Sequence, residues 1–351
     1  MTTPDHAFHQ LAGVFSSRGN KVLEFEIIPP SLGFPFMQDG SSVGITKKFL
    51  VQAYTVARHL FVQRLMPMSE DDLRASLQES KAESNGVSDV VVTEIMLLFD
   101  CENLTACNWR KRRLLAIGTH CSDAADQIQM ELTLMKSFQC SPLHRHTKSP
   151  TLWSHRLWVL KQLFQHREWT AEALLQLERE ELDIVLRAAE LHPKNYYAFS
   201  YMRQLHALLA GLGPGEADQD SWAVQLAQPL VDPVLDWCLA NPRDISGWIF
   251  AQYLLYNVPG HRIRVNAIGR VVRFARDVGW DGESLWTFID QTVRQFNLEG
   301  VLDDVLPCPE KKELGVSASA GHDGPQKWPW LLQLARAQEY WKVYGQSHDR
   351  Q

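Results

Sequence analysis

Five stretches of this chain repeat one short phrase: a polar or proline-led turn, then a large apolar side chain at a fixed place on an amphipathic run. They are Asn103–Lys111, Ser149–Arg156, Pro193–Met202, Asn241–Ala251 and Gly282–Ile289. Their equivalent positions are Cys107, Trp153, Phe199, Trp248 and Trp286, separated by 46, 46, 49 and 38 residues. A period of that size predicts stacked helix pairs. One helical hairpin cannot bury its apolar face alone, so copies stack, and a ring at a fixed position fills each seam between them. The expected fold class is an all-α solenoid.

The second phrase carries the pattern most fully. Ser149-Pro150 supplies a cap and a first-turn proline, after which Trp153, Leu157, Leu160 and Phe164 recur on one helical face. Thr170 opens the partner helix, with Leu174, Leu177, Leu182, Val185 and Ala189 as its apolar stripe. Glu172, Glu178, Arg179, Glu180 and Arg187 form the opposing polar face. His192-Pro193 ends that helix, because the residue before proline is pushed out of the helical region. Upstream, residues 1–42 alternate short apolar patches with glycine and proline and read as an irregular N-terminal arm. Helices are expected from Val43, with Ser69-Glu-Asp-Asp72 as an acid-rich helix start. The repeats fill residues 43–306, with Gly211–Asp220 as a loop inside the third. Residues 307–327 read as a flexible linker and 328–351 as a C-terminal capping helix and tail.

Charge and cysteine usage narrow the function. A formal charge of −6 offers no field for a polyanion, so nucleic acid is excluded as a partner. The six cysteines have neither metal-ligand spacing nor a compact disulfide framework, and reduced thiols in the cytoplasm are expected. No apolar run reaches the roughly 20 residues of a bilayer-spanning helix, so the chain is expected not to span a membrane. The first residues lack the features of a signal peptide, and the last residues offer no cysteine for prenylation. No Gly-rich phosphate loop follows a strand and no Gly-x-Ser-x-Gly elbow is present, which removes self-contained nucleotide or acyl chemistry.

Two of the phrases point to one family. Pro193-Lys-Asn-Tyr196 with Ala198 and Phe199, and Trp153-Ser-His-Arg156 followed by Leu-Trp-Val-Leu160, resemble the Asn-Tyr-x-x-Trp-x-x-Arg repeat of protein prenyltransferase α subunits. The second phrase is most similar to the repeat-containing branch of that family, and the resemblance covers about residues 90–300. It implies a right-handed superhelical solenoid of stacked helical hairpins, wrapped around a β subunit. That subunit would carry zinc and the isoprenoid pocket, with no cofactor on this chain. It also implies that Lys194 and Tyr196 approach an isoprenyl diphosphate. Arg110 and Arg156 stand at the family's arginine position, whereas Met202, Ala251 and Ile289 replace it in the later phrases, and Cys107 and Phe199 replace tryptophan.

Each candidate also has a structural explanation. Lys194 lies in a turn where an exposed lysine needs no special role, and Tyr196 could pack at a helix start. Arg110-Lys-Arg-Arg113 fits a solvated helix face or ion pairs between repeats better than a nucleic-acid patch. His144-Arg-His146 lacks neighbouring ligands, so no metal is assigned to this chain; His155 and His192 read as structural. The sequence thus points to the α-type subunit of a protein prenyltransferase. It would act with a β subunit on isoprenyl diphosphate and a protein substrate bearing a C-terminal cysteine. The catalytic candidates are Lys194 and Tyr196, and the repeat-seam residues are Trp153, Arg156, Phe199, Trp248 and Trp286. The alternative is a non-catalytic helical-repeat scaffold for another protein, favoured by the lost arginines.

Overall fold

The computed structural model describes residues 3–79, 87–118, 124–143, 145–166, 168–213 and 219–298. The chain divides into two compact units, one running to Leu205 and the other beginning at His206. The expected linker at 307–327 and capping helix at 328–351 lie outside the described residues.

The first unit opens with structure where an irregular arm was expected. Helix α1 (Pro4–Ser17) is capped by Thr3, whose side chain accepts from the His6 amide, and it buries Phe8, Leu11 and Phe15. Strands β1 (Glu24–Ile28), β2 (Phe36–Asp39) and β3 (Ser42–Thr46) form a sheet in the order β1-β3-β2, so the fold departs here from purely helical. β1 runs parallel to β3, with Phe25 opposite Val43, and β2 antiparallel, with Met37 opposite Gly44. Gly40, at φ 56°, turns the β2–β3 hairpin. The apolar patches of this segment pair with partners that are not their neighbours in sequence, which is why local periodicity read them as an arm. Helix α2 (Lys47–Leu60) then begins four residues later than expected and continues into a π turn at Phe61–Leu65.

The remaining helices of this unit are α3 (Glu70–Glu79), α4 (Asp89–Phe99), α5 (Leu104–Ile117), α6 (Ala124–Gln139), α7 (Pro150–Leu163) and α8 (Ala171–Leu191). The division between the units falls within α9 (Tyr196–Ala210). Ser69 and Asp72 cap α3 reciprocally: the Asp72 amide donates to Ser69 Oγ at 3.2 Å and the Ser69 amide to Asp72 Oδ2 at 2.9 Å. The core joins α1, the sheet, α2, α4 and α6 through Phe15, Phe25, Phe49, Ile95 and Phe138, all buried. Helix α6 and the turn after it seal the outer edge of β1: the amide of Leu23, just before the strand, donates to Ser137 Oγ (2.9 Å), and that of Phe25 to Ser141 Oγ (2.8 Å), two residues past the helix. Those acceptors lie one helical turn apart and take the place of a fourth strand.

The second unit contains α10 (Gln219–Ala240), α11 (Ile245–Asn257), α12 (His261–Val278) and α13 (Glu283–Phe296). Helix α10 runs through Pro229 and Pro233, residues that remove two backbone donors from its ladder. Gly247 lets α11 close on α10: a Cβ there would stand 2.5 Å from the Trp237 ring and 3.1 Å from Cys238 Sγ. Asp232 and Asp236 on α10 pair with Arg270 of α12. Among the described residues, no helix is long and apolar enough to cross a membrane.

Candidate functional site

The five phrases have one construction. Each core position lies four residues after its helix N-cap. The N-caps are Asn103, Ser149, Asn195, Asp244 and Gly282, and the first four accept a backbone N–H through their side chains. Cys107, Trp153, Phe199, Trp248 and Trp286 are all buried. The three tryptophans make the same contact, donating from indole Nε1 to the carbonyl six residues earlier: Trp153 to Thr147 (2.8 Å), Trp248 to Pro242 (3.0 Å) and Trp286 to Trp280 (2.8 Å).

A second aromatic register, two residues after the first, escaped the sequence reading. It comprises Trp109, His155, Tyr201, Phe250 and Phe288, each buried. Two of its members receive a tryptophan of the first register. Trp153 packs on Tyr201 with ring centroids 5.0 Å apart, and within the second unit Trp248 packs on Phe288 at 4.8 Å. Overlaying the phrases on this position would have revealed a ring in every one.

The two retained arginines are buried clamps. Arg156 donates from Nε and Nη2 to the carboxylate of Glu181 (2.7 and 2.5 Å) and from Nη1 to the Leu132 carbonyl (2.9 Å), while Tyr201 Oη donates to Glu181 at 2.5 Å. Arg110 repeats the arrangement, forking onto Glu131 and donating from Nη1 to the Val90 carbonyl (3.1 Å) and Thr93 Oγ1 (2.7 Å). His155 Nε2 lies 2.7 Å from Glu131, and Arg18 pairs with Glu94 at 2.9 Å. Burial opposes the charge of Glu131, but Arg110 and the hydrogen bond from His155 hold its pKa well below the usual carboxylate range. Burial wins at Glu94, which is raised despite Arg110 and Arg18. Glu178 and Glu181 are buried, so the expected polar face of α8 is wrong at Glu178.

These contacts settle the basic run. Arg110 is inside, Lys111 sits over the Trp158 ring at 5.5 Å, Arg112 donates to the Met68 carbonyl and Arg113 to Gln127. None of the four is arranged for a phosphate backbone. His146 is buried with Nε2 2.9 Å from the Leu97 carbonyl, and burial pushes its pKa down to about 4. His144 lies outside the described residues. The thiols of Cys101 and Cys140 are pushed up to about 11 and that of Cys107 to about 12, chiefly by burial. They are poor nucleophiles near neutral pH.

The candidate catalytic pair occupies the turn between α8 and α9. Lys194 is exposed and adopts φ 61°, one of two non-glycine residues with positive φ among those described. Asn195 is fully buried beneath it. Its Nδ2 donates to the Thr147 carbonyl (2.7 Å), and its Oδ1 accepts from the Ala198 amide (3.2 Å). Tyr196 and Tyr197, in the first turn of α9, are each 50% exposed, so neither packs into the core. The turn therefore offers an ammonium and two phenols on a firmly held backbone. A separate cleft of about 340 Å³ lies among α6, α7 and α8, lined by Lys136, Arg156, Trp169, Gln176, Glu180 and Glu181 among others; Lys194 and Tyr196 do not line it.

A protein prenyltransferase alpha subunit repeat matches residues 178–209, the stretch holding this turn. The human protein prenyltransferase alpha subunit repeat-containing protein 1 (Homo sapiens) is 28% identical over 176 residues, 47% of this chain and 39% of that protein. The Danio rerio protein of the same name is 34% identical over 179 residues, 47% of this chain and 37% of that protein. The matched region thus spans well under half the length of these relatives. Residues 178–209 thus match the protein prenyltransferase alpha subunit repeat, and the chain is similar to proteins of the repeat-containing branch.

Proposed function

We propose that this bearer of the alpha subunit repeat is the α-type subunit of a protein prenyltransferase. It would work in the cytoplasm with a β subunit and transfer a farnesyl or geranylgeranyl group from isoprenyl diphosphate to a protein cysteine. The observation that carries the reading is the turn at 193–196, where buried Asn195 holds the backbone while Lys194 and Tyr196 face outward. Zinc on the β subunit would supply the thiolate by lowering the cysteine's pKa. Lys194 Nζ and Tyr196 Oη would donate to the departing diphosphate, stabilising charge that grows in the transition state. Each well-placed donor of this kind is worth roughly 2.7–4 kcal/mol.

The second reading is a scaffold that binds another protein and transfers nothing. It accords with the names of the relatives, which describe them by the repeat they contain. The missing arginines no longer favour it, because Arg110 and Arg156 are interior clamps, and their replacement by Met202, Ala251 and Ile289 bears on packing. The deciding experiment is co-purification with a prenyltransferase β subunit, followed by single-turnover transfer in the reconstituted complex. Lys194→Ala is expected to leave assembly intact and slow transfer roughly 10²–10³-fold. A stable complex that transfers to no cysteine protein would leave the scaffold, and an unchanged rate would remove Lys194 from the mechanism.

A further inference from the structure

Three phrases satisfy the carbonyl six residues before the core position with their own indole N–H, but Cys107 and Phe199 have none to give. In both cases a neighbouring phrase supplies the donor. Ser149 Oγ donates to the Cys101 carbonyl at 3.1 Å, and Lys148 Nζ donates to the Pro193 carbonyl at 2.7 Å. Pro193 lies outside the α9 ladder, whose first acceptor at this end is the Asn195 carbonyl, bonded by the Phe199 amide at 3.3 Å. With phenylalanine at 199, a lysine ammonium bonds the carbonyl of the residue immediately before Lys194. Lys148 and Lys194 occupy the same place in successive phrases, one residue before the N-cap.

We infer that Lys148 is a positioning residue for the diphosphate step: by holding the Pro193 carbonyl it fixes the left-handed backbone of Lys194 and hence the direction of its ammonium. This rests on the reading of Lys194 given above. Lys194 has a Cβ and an unfavourable φ, so its conformation persists only while the flanking residues over-determine it. Asn195 fixes one flank from inside, through Thr147, and Lys148 fixes the other from the surface. An apolar side chain of equal length, such as methionine, has no donor for this contact, whereas arginine does. The charge left over on Lys148 also adds to the positive potential at the turn.

The test uses the full chain in two settings. In the complex with a β subunit, Lys148→Ala is expected to lower kcat about 10- to 100-fold, the scale for a reacting group moved by about an ångström. KM for the protein substrate should stay unchanged, and Lys148→Arg should restore most of the rate. Phe199→Trp returns an indole donor to Pro193, so in that background Lys148→Ala should have little further effect. In the chain alone, NMR couplings and chemical shifts should report a positive φ at Lys194 in wild type and Lys148→Arg and its loss in Lys148→Ala. If Lys194→Ala slows transfer and Lys148→Ala does not, this inference falls while the transferase reading stands. If no variant transfers at all, the transferase reading falls, and a positive φ surviving in Lys148→Ala would overturn the backbone latch as well.

Discussion

The same seam is built in two ways in the two units. In the first, Trp153 meets Tyr201 and the phrase adds the Arg156–Glu181 clamp; in the second, Trp248 meets Phe288 and Ala251 stands where the arginine would be. Both seams keep the indole bond to the carbonyl six residues back. The aromatic register is therefore the shared requirement of stacking, and the ion pair is an addition with its own cost. Two charges taken from water regain little net stability, yet removing one partner strands the other.

That contrast can be broken at several points. Arg156→Met should cost about 3–5 kcal/mol, because it leaves the buried Glu181 carboxylate without its cation. The double change Arg156→Met with Glu181→Leu should recover most of that loss in chemical denaturation. A double variant as unstable as the single one would mean the clamp contributes more than its own desolvation. Trp153→Ala and Trp248→Ala should each cost about 3–5 kcal/mol, whether or not a clamp is nearby. A much smaller loss at Trp248 would show that the second unit does not depend on this register.

A pH effect should belong to the first unit. The folded-state pKa of His146 is lowered to about 4 by burial, so the unfolded chain binds the proton more readily. Its contribution is complete above the unfolded value near 6.5 and is lost as pH falls through about 4, amounting to about 2 kcal/mol by pH 5. Glu131, with its depressed pKa, adds to the loss only below the ordinary carboxylate range. Melting curves of His146→Gln between pH 7 and 5 should be flatter than those of wild type. Parallel curves would exclude His146 as the source. The smallest effect is expected at Lys194→Ala, within about 0.5 kcal/mol, since an exposed turn residue is replaced.

The hairpins were legible in the sequence because their determinants are local: caps, prolines and a ring at a constant distance from each cap. Glu131 and Glu181 were not, since a carboxylate on an amphipathic helix looks solvated until its arginine, 21 or 25 residues earlier, is known to point at it. The N-terminal sheet was missed for the same reason on a longer scale. β1 pairs with β3 across two turns, and its other edge meets hydroxyls on and just after α6, so no window of a dozen residues contains its partners. Lys194 and Tyr196 could be named from the phrase alone. The positive φ of Lys194 and the Lys148 contact could not, since the first is a backbone angle and the second reaches 45 residues along the chain to a carbonyl that the tryptophan phrases bond with their own indoles.

The hydroxyl seal on β1 also dictates an order of events during synthesis. The Leu23 and Phe25 amides find their acceptors 114 and 116 residues downstream. At about 5–20 residues per second, the ribosome delivers Ser137 and Ser141 roughly 6–25 s after the strand has emerged. For that interval β1, paired on its other side with β3, has an open edge that a foreign strand could take. Glu24 and Glu26, exposed on the waiting strand, place negative charge along it at the stage when it is most open to mispairing.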